Sequence, residues 1–159
     1  MKRYIALILG LTAIDQLIKF WVRSSLTPED QVELIPNLIH LTYQENRGIS
    51  FSFLSSLPDM LRIPLLAGVS FIVIVGLGYY LYKDFDRLSK LDRWGFSLIL
   101  SGALGNLIDR GFRHSVTDYM FFHFYDTGFF VNNFADDLIS IGFVLVLWNG
   151  LLGSKDEAG

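Results

Sequence analysis

Residues 61–82, LRIPLLAGVSFIVIVGLGYYLY, stay apolar for long enough to cross a hydrocarbon layer, which takes about 20 helical residues. Such a run leaves few options. Inside a bilayer every backbone N–H and C=O must find its partner within the protein, and only helices and closed barrels achieve that. Three further stretches, 4–22 (YIALILGLTAIDQLIKFWV), 94–111 and 133–152, read as spans of the same kind. The expected fold is a mainly α membrane protein, one domain over 1–159 with four transmembrane helices. A composition 52% hydrophobic and only 18% charged agrees.

The first stretch lies behind Lys2 and Arg3, as a secretory signal would. Asp15 and Lys19 interrupt its apolar core and no small-residue cleavage site follows, so a retained helix is expected. Those two residues stand one turn apart and can pair while facing into a bundle. Residues 23–60 change character. Short pieces rich in β-branched and aromatic residues, Val32 to Ile35, Leu38 to Tyr43 and Ile49 to Leu54, are punctuated by Pro36-Asn37 and Asn46-Arg47-Gly48, which predicts a small extramembrane sheet. After 61–82, Lys83, Arg87, Lys90 and Arg93 crowd a short loop, and Lys2, Arg3 and Lys155 fall on the same side. The bias of Lys and Arg toward the cytoplasm then places both termini inside, with 23–60 and 112–132 outside. The third span carries Ser97, Ser101, Gly102, Ala103 and Gly105, small residues that let helices approach closely.

Polar groups concentrate between Gly105 and Asp137. The chain leaves one apolar stretch through Asn106, Asp109 and Arg110, passes Asp118, crosses an aromatic run, and enters the next through Asn133, Asp136 and Asp137. Carboxylates at a bilayer are costly and by default raise a functional hypothesis. The expected topology brings Asp118 and Asp136 together at the outer face. Two aspartates within a few Å do not both ionise; they share a proton and act as base and acid on one water, without metal or cofactor. Asn106, Arg110 and Asn133 are placed to orient them or to stabilise an oxyanion. The bland alternative has Asp118 and Asp136 capping helices or pairing with Arg110 and Arg113, and residue chemistry alone leaves the two readings even. Other classes recede. A net charge of −3 with no basic stripe gives no reason to expect nucleic acid. The absence of cysteine excludes thiolate metal sites and a cysteine nucleophile. His40, His114 and His123 lack the spacing of metal ligands, which also argues against a metal-dependent membrane protease.

In order along the chain, the polar motifs resemble those of the lipoprotein signal peptidases, the signal peptidase II family. Asp15-Gln16 with Lys19 resembles D-Q-x-x-K, and Asn46-Arg47-Gly48 followed by Phe51-Ser52 resembles N-x-G-x-x-F-S. Gly105-Asn106 with Asp109-Arg110 matches G-N-x-x-D-R. Val116-Thr117-Asp118-Tyr119 resembles V-x-D-F, and Asn133-Phe134-Ala135-Asp136 resembles N-x-A-D. Each motif alone is weak; five in order on a four-span chain are specific.

The resemblance implies an aspartic intramembrane endopeptidase that removes the signal peptide from diacylglyceryl-modified prolipoproteins, cutting N-terminal to the lipid-modified cysteine. It implies Asp118 and Asp136 as the catalytic pair, supported by Asp15, Lys19, Asn46, Gly48, Gly105, Asn106, Arg110, Asn133 and Ala135. Neither metal nor cofactor is expected. The implied setting is the bacterial cytoplasmic (inner) membrane, with a monomer among lipids and its site toward the outer, periplasmic face. The sheet would cradle the substrate, and the aromatic run Tyr119 to Phe130 would form an interfacial flap or helix over it. Four positions depart from the family pattern: Tyr119 and Asn132 stand where phenylalanine is usual, His114 where glycine is common, and Asp137 adds a second carboxylate about 100° around the helix from Asp136. The competing class is a non-enzymatic four-span carrier or assembly factor whose carboxylates bind protons.

Overall fold

The structure, a computed structural model, describes residues 1–48 and 58–156. Among these residues the order is α1 (Lys2–Ser25), β1 (Val32–Ile35), β2 (Ile39–Asn46), α2 (Asp59–Lys83), α3 (Lys90–Arg113), β3 (Val116–Phe124), β4 (Thr127–Asn132) and α4 (Phe134–Asp156). Three of the helices, α1, α2 and α4, are long and apolar enough to cross a membrane. Their exposed side chains are those of a lipid-facing surface: Leu9, Leu17 and Phe20 on α1, Phe71 and Ile72 on α2, Phe143, Val144 and Trp148 on α4.

The remaining helix, α3, is the polar one, and it packs against α1, α2, α4 and β3. Small residues make that central place available. A Cβ at Gly102 would run into the backbone carbonyl of Ala135, and one at Gly105 into the Asp15 carboxylate, so both glycines mark close approaches rather than flexible points. The Ser89 hydroxyl caps α3 by accepting from the Asp92 N–H at 3.0 Å. His114 ends the helix at φ 62°, in the left-handed conformation that glycine most easily adopts, which explains why a glycine is at home in this position.

All four strands join one antiparallel sheet in the order β1-β2-β3-β4. It is drawn from both expected outer segments: β2 and β3 are separated in sequence by α2 and α3, yet Asn46 pairs with Val116, Gln44 with Asp118 and Ile39 with Phe122. The second expected strand begins one residue late and runs on to Asn46; the expected piece Ile49 to Leu54 lies outside the described residues. The aromatic run differs from expectation in form. It builds no helix; β3 and β4 make a hairpin in which Met120 faces Asn132 and Phe122 faces Phe130. A run of aromatic and β-branched residues bonds its backbone more completely against the waiting edge of β2 than it would as an isolated interfacial turn of helix.

Two apolar clusters hold the ends. Tyr4, Leu81, Phe85 and Leu100 lock α1, α2 and α3 together at one end. Val22, Leu41 and Tyr119, with Phe134 against them, join α1 to the sheet and to the first turn of α4 at the other. The polar residues gather above this second cluster.

Candidate active site

Lys19 is 0% exposed, and a buried ammonium persists only when its charge is matched and its protons are bonded. Its Nζ lies 2.9 Å from Asp15 Oδ2 and 3.2 Å from Asp109 Oδ2, so α1 and α3 meet through one cation and two carboxylates. The third contact of Lys19 is a bond donated to Asn106 Oδ1 at 2.9 Å. An ammonium can only donate, so it fixes the Asn106 amide with its oxygen inward and its NH2 outward. That NH2 donates to Asp136 Oδ1 at 2.8 Å.

The same logic repeats twice. Asn133 Oδ1 accepts the Asp136 N–H at 3.1 Å, which frees its Nδ2 to donate to Asp118 Oδ1 at 2.6 Å. Asn46 Oδ1 accepts the Gly48 N–H at 2.9 Å, and its Nδ2 donates to Asp118 Oδ2 at 2.9 Å. Each of these three asparagines therefore has its oxygen occupied by a donor and its NH2 turned to a carboxylate. The cap of α4 belongs to Asn133, which leaves the Asp136 carboxylate free for other work. Arg113 pairs with Glu45 at 3.4 Å and takes no part in holding Asp118.

Asp118 is 3% exposed. Burial pushes its carboxyl up to about 6, against the two asparagine bonds, which favour the ionised form; the nearby Asp136 charge pushes in the same direction as burial. Arg110 is electrostatically coupled to Asp136, Asp118 and Asp109, and lines a small cavity with Asn46, Arg62 and His114. Asn46 joins the two features, lining the Arg110 cavity while donating to Asp118.

Asp15, Gly105 and Ala135 form the floor. Ala135, fully buried, donates its N–H to Asp15 Oδ1 at 3.1 Å, and Gln16 Nε2 bridges Asp15 Oδ2 at 3.1 Å and the Gly105 carbonyl at 3.0 Å. The expected supporting residues thus fall into one connected set. Asp137 turns away from it, accepting from Asn132 Nδ2 at 2.7 Å. One member, Arg23, was not singled out from the sequence. Asp109 accepts the Thr117 N–H at 3.2 Å, and Arg23 reaches both Thr117 Oγ1 at 2.9 Å and Asp109 Oδ1 at 3.6 Å, tying α1, α3 and β3 beside Asp118. Arg23 continues the helical row of Asp15 and Lys19 at four-residue spacing, which was a signal for it.

Comparison with known proteins gives a consistent outcome. The family model described as signal peptidase (SPase) II matches residues 7–152. A lipoprotein signal peptidase of Fusobacterium nucleatum subsp. nucleatum is 38% identical over 144 residues, covering 91% of this chain and 83% of the relative. One of Bartonella tribocorum is 38% identical over 150 residues, covering 92% and 86%. A solved structure described as a bacterial membrane enzyme, obtained by the in meso method at 1.9 Å, superposes with a TM-score of 0.82 at 25% identity, covering 95% of this chain and 94% of the other. Another, at 2.3 Å, gives a TM-score of 0.85 at 24% identity with 98% and 92% covered, a likeness of fold.

Proposed function

The chain belongs to the signal peptidase II family, and on that premise we propose that Asp118 and Asp136 are its catalytic pair. The protein is an endopeptidase that removes the signal peptide from prolipoproteins, and membership of this family sets aside a non-enzymatic carrier. The substrate is a diacylglyceryl-modified precursor, cut on the N-terminal side of its lipid-modified cysteine.

The observation that carries the dyad is the orientation of three amides, with Asn46 and Asn133 donating to Asp118 and Asn106 donating to Asp136. With one proton shared between the two carboxyls, the ionised one removes a proton from water as its oxygen attacks the scissile carbonyl. The protonated one donates to the carbonyl oxygen, giving a tetrahedral diol. In the collapse of the diol the protonated carboxyl gives its proton to the leaving amine as the C–N bond breaks, and the ionised one takes the proton of a diol hydroxyl, which leaves the dyad with one proton again. Arg110 and the asparagine amides stay fixed throughout and supply the electrostatic preorganisation that favours the charged transition state.

The same reading extends to the membrane. Helix α3, about 36 Å long at 1.5 Å per residue, also spans the membrane and brings the number of spans to four, its polar residues shielded by α1, α2 and α4. Lys83, Arg87, Lys90 and Arg93, in and beside the α2–α3 connection, support cytoplasmic termini and an outer-face site, in a bacterial inner-membrane monomer. The sheet is the substrate cradle. Exposed Phe124, Tyr125, Phe129 and Phe130 suit the β3–β4 hairpin to headgroup level, where it serves as the interfacial flap. The chain works as one domain.

Asp118→Asn and Asp136→Asn test the central assignment. Each abolishes the mobility shift of a diacylglyceryl-modified precursor on a gel while the protein still inserts; full cleavage by both variants contradicts it.

A further inference from the structure

The first N–H groups of any helix lack partners within it. In α4 three successive ones are taken by side chains from three different places: Phe134 N–H by the Tyr119 hydroxyl at 3.1 Å, Ala135 N–H by Asp15 Oδ1 at 3.1 Å, and Asp136 N–H by Asn133 Oδ1 at 3.1 Å. Asp15 and Asn133 belong to the motif set. Tyr119 is the departure, a hydroxyl where the pattern has phenylalanine.

Tyr119 is 4% exposed and sits in the Val22 and Leu41 cluster, so its ring is core while its hydroxyl points at the helix start. It also follows Asp118 directly on β3, where consecutive side chains leave on opposite faces. Asp118 therefore holds the junction before α4 from one face, through Asn133 Nδ2 at 2.6 Å, and Tyr119 holds it from the other, through Phe134 N–H. The strand bearing one carboxylate is tied at two consecutive residues to the turn bearing the other.

We propose that Tyr119 is a positioning residue for peptide cleavage: its hydroxyl, by holding the first N–H of α4, fixes Asp136 against Asp118. This rests on the assignment of those aspartates as the catalytic pair. A phenylalanine fills the same volume but leaves the Phe134 N–H without its acceptor, and the start of α4 is then free to drift from β3. Drift separates the carboxylates and admits water. Both changes lower the midpoint at which Asp118 titrates, whereas a hydroxyl with a purely structural role changes thermal stability alone.

The test is Tyr119→Phe in the purified full chain, assayed on a diacylglyceryl-modified precursor peptide across pH, with Asp136→Asn alongside. The expected result is a kcat reduced roughly tenfold, the scale set by an unpaired buried N–H. KM stays within about twofold because the hydroxyl touches no substrate surface, and the kcat midpoint near Asp118's value moves to lower pH. A kcat and midpoint matching wild type, or a change confined to KM or to stability, overturns the role of Tyr119 while an inactive Asp136→Asn leaves the dyad standing. An active Asp136→Asn removes the dyad and this inference with it.

Discussion

Asn106 has a single useful orientation, because Lys19 can offer its oxygen partner only a proton. The consequence reaches Asp136, and the same commitment of oxygen to one donor and NH2 to a carboxylate governs Asn46 and Asn133. The sign of their effect is therefore predictable. Each bond from Asn46 or Asn133 favours the ionised form of Asp118, so Asn46→Ala raises the Asp118 midpoint above about 6. The corresponding limb of the pH–rate profile shifts to more alkaline pH, opposite in direction to Tyr119→Phe. A profile unchanged or shifted to acid in Asn46→Ala contradicts the assigned amide orientation. The residue types were legible in the sequence as motifs. Their orientations were not, since what turns the Asn106 amide is a lysine on another helix, 87 residues away. Asp137, adjacent to Asp136 and identical in type, could be set apart by its helical angle, but its partner Asn132 emerged only from the fold.

At the scale of elements, α3 is organised by small residues on the side that meets α4. Gly102→Ala forces its methyl against the Ala135 carbonyl, at the very turn that carries Asp136. Overpacking of this kind costs about 1–3 kcal/mol, with loss of activity because α4 must shift. Gly10→Ala, with open space around its Cβ, serves as the control and leaves both thermal midpoint and cleavage close to wild type. Equal behaviour of the two variants in thermal unfolding and cleavage contradicts the close approach. Helices α1, α2 and α4 were legible because apolar length speaks for itself. The hairpin was only partly so: the family resemblance implied an aromatic flap over Tyr119 to Phe130, but its pairing with β2 depends on a strand that lies two helices earlier. Sequence proximity carries no information about that partner.

At the scale of the whole molecule, one carboxylate on a sheet and one on a helix are each held by asparagine amides, and the Asp15–Lys19–Asp109 cluster between α1 and α3 fixes one of those amides, Asn106. The expected topology already brought the two aspartates to one face, and the architecture gives its means: strand β3 abuts the start of α4 through Asn133, Phe134 and Tyr119. The central claim is that Asp118 and Asp136 act on each other as one site. The most direct measurement follows the Asp118 carboxylate stretch by infrared titration in Asp136→Asn, with the Asp118→Asn/Asp136→Asn double variant subtracted to isolate it. Asp136 raises the wild-type value, so its neutralisation lowers the Asp118 midpoint from about 6. A midpoint that stays at the wild-type value contradicts a coupled pair.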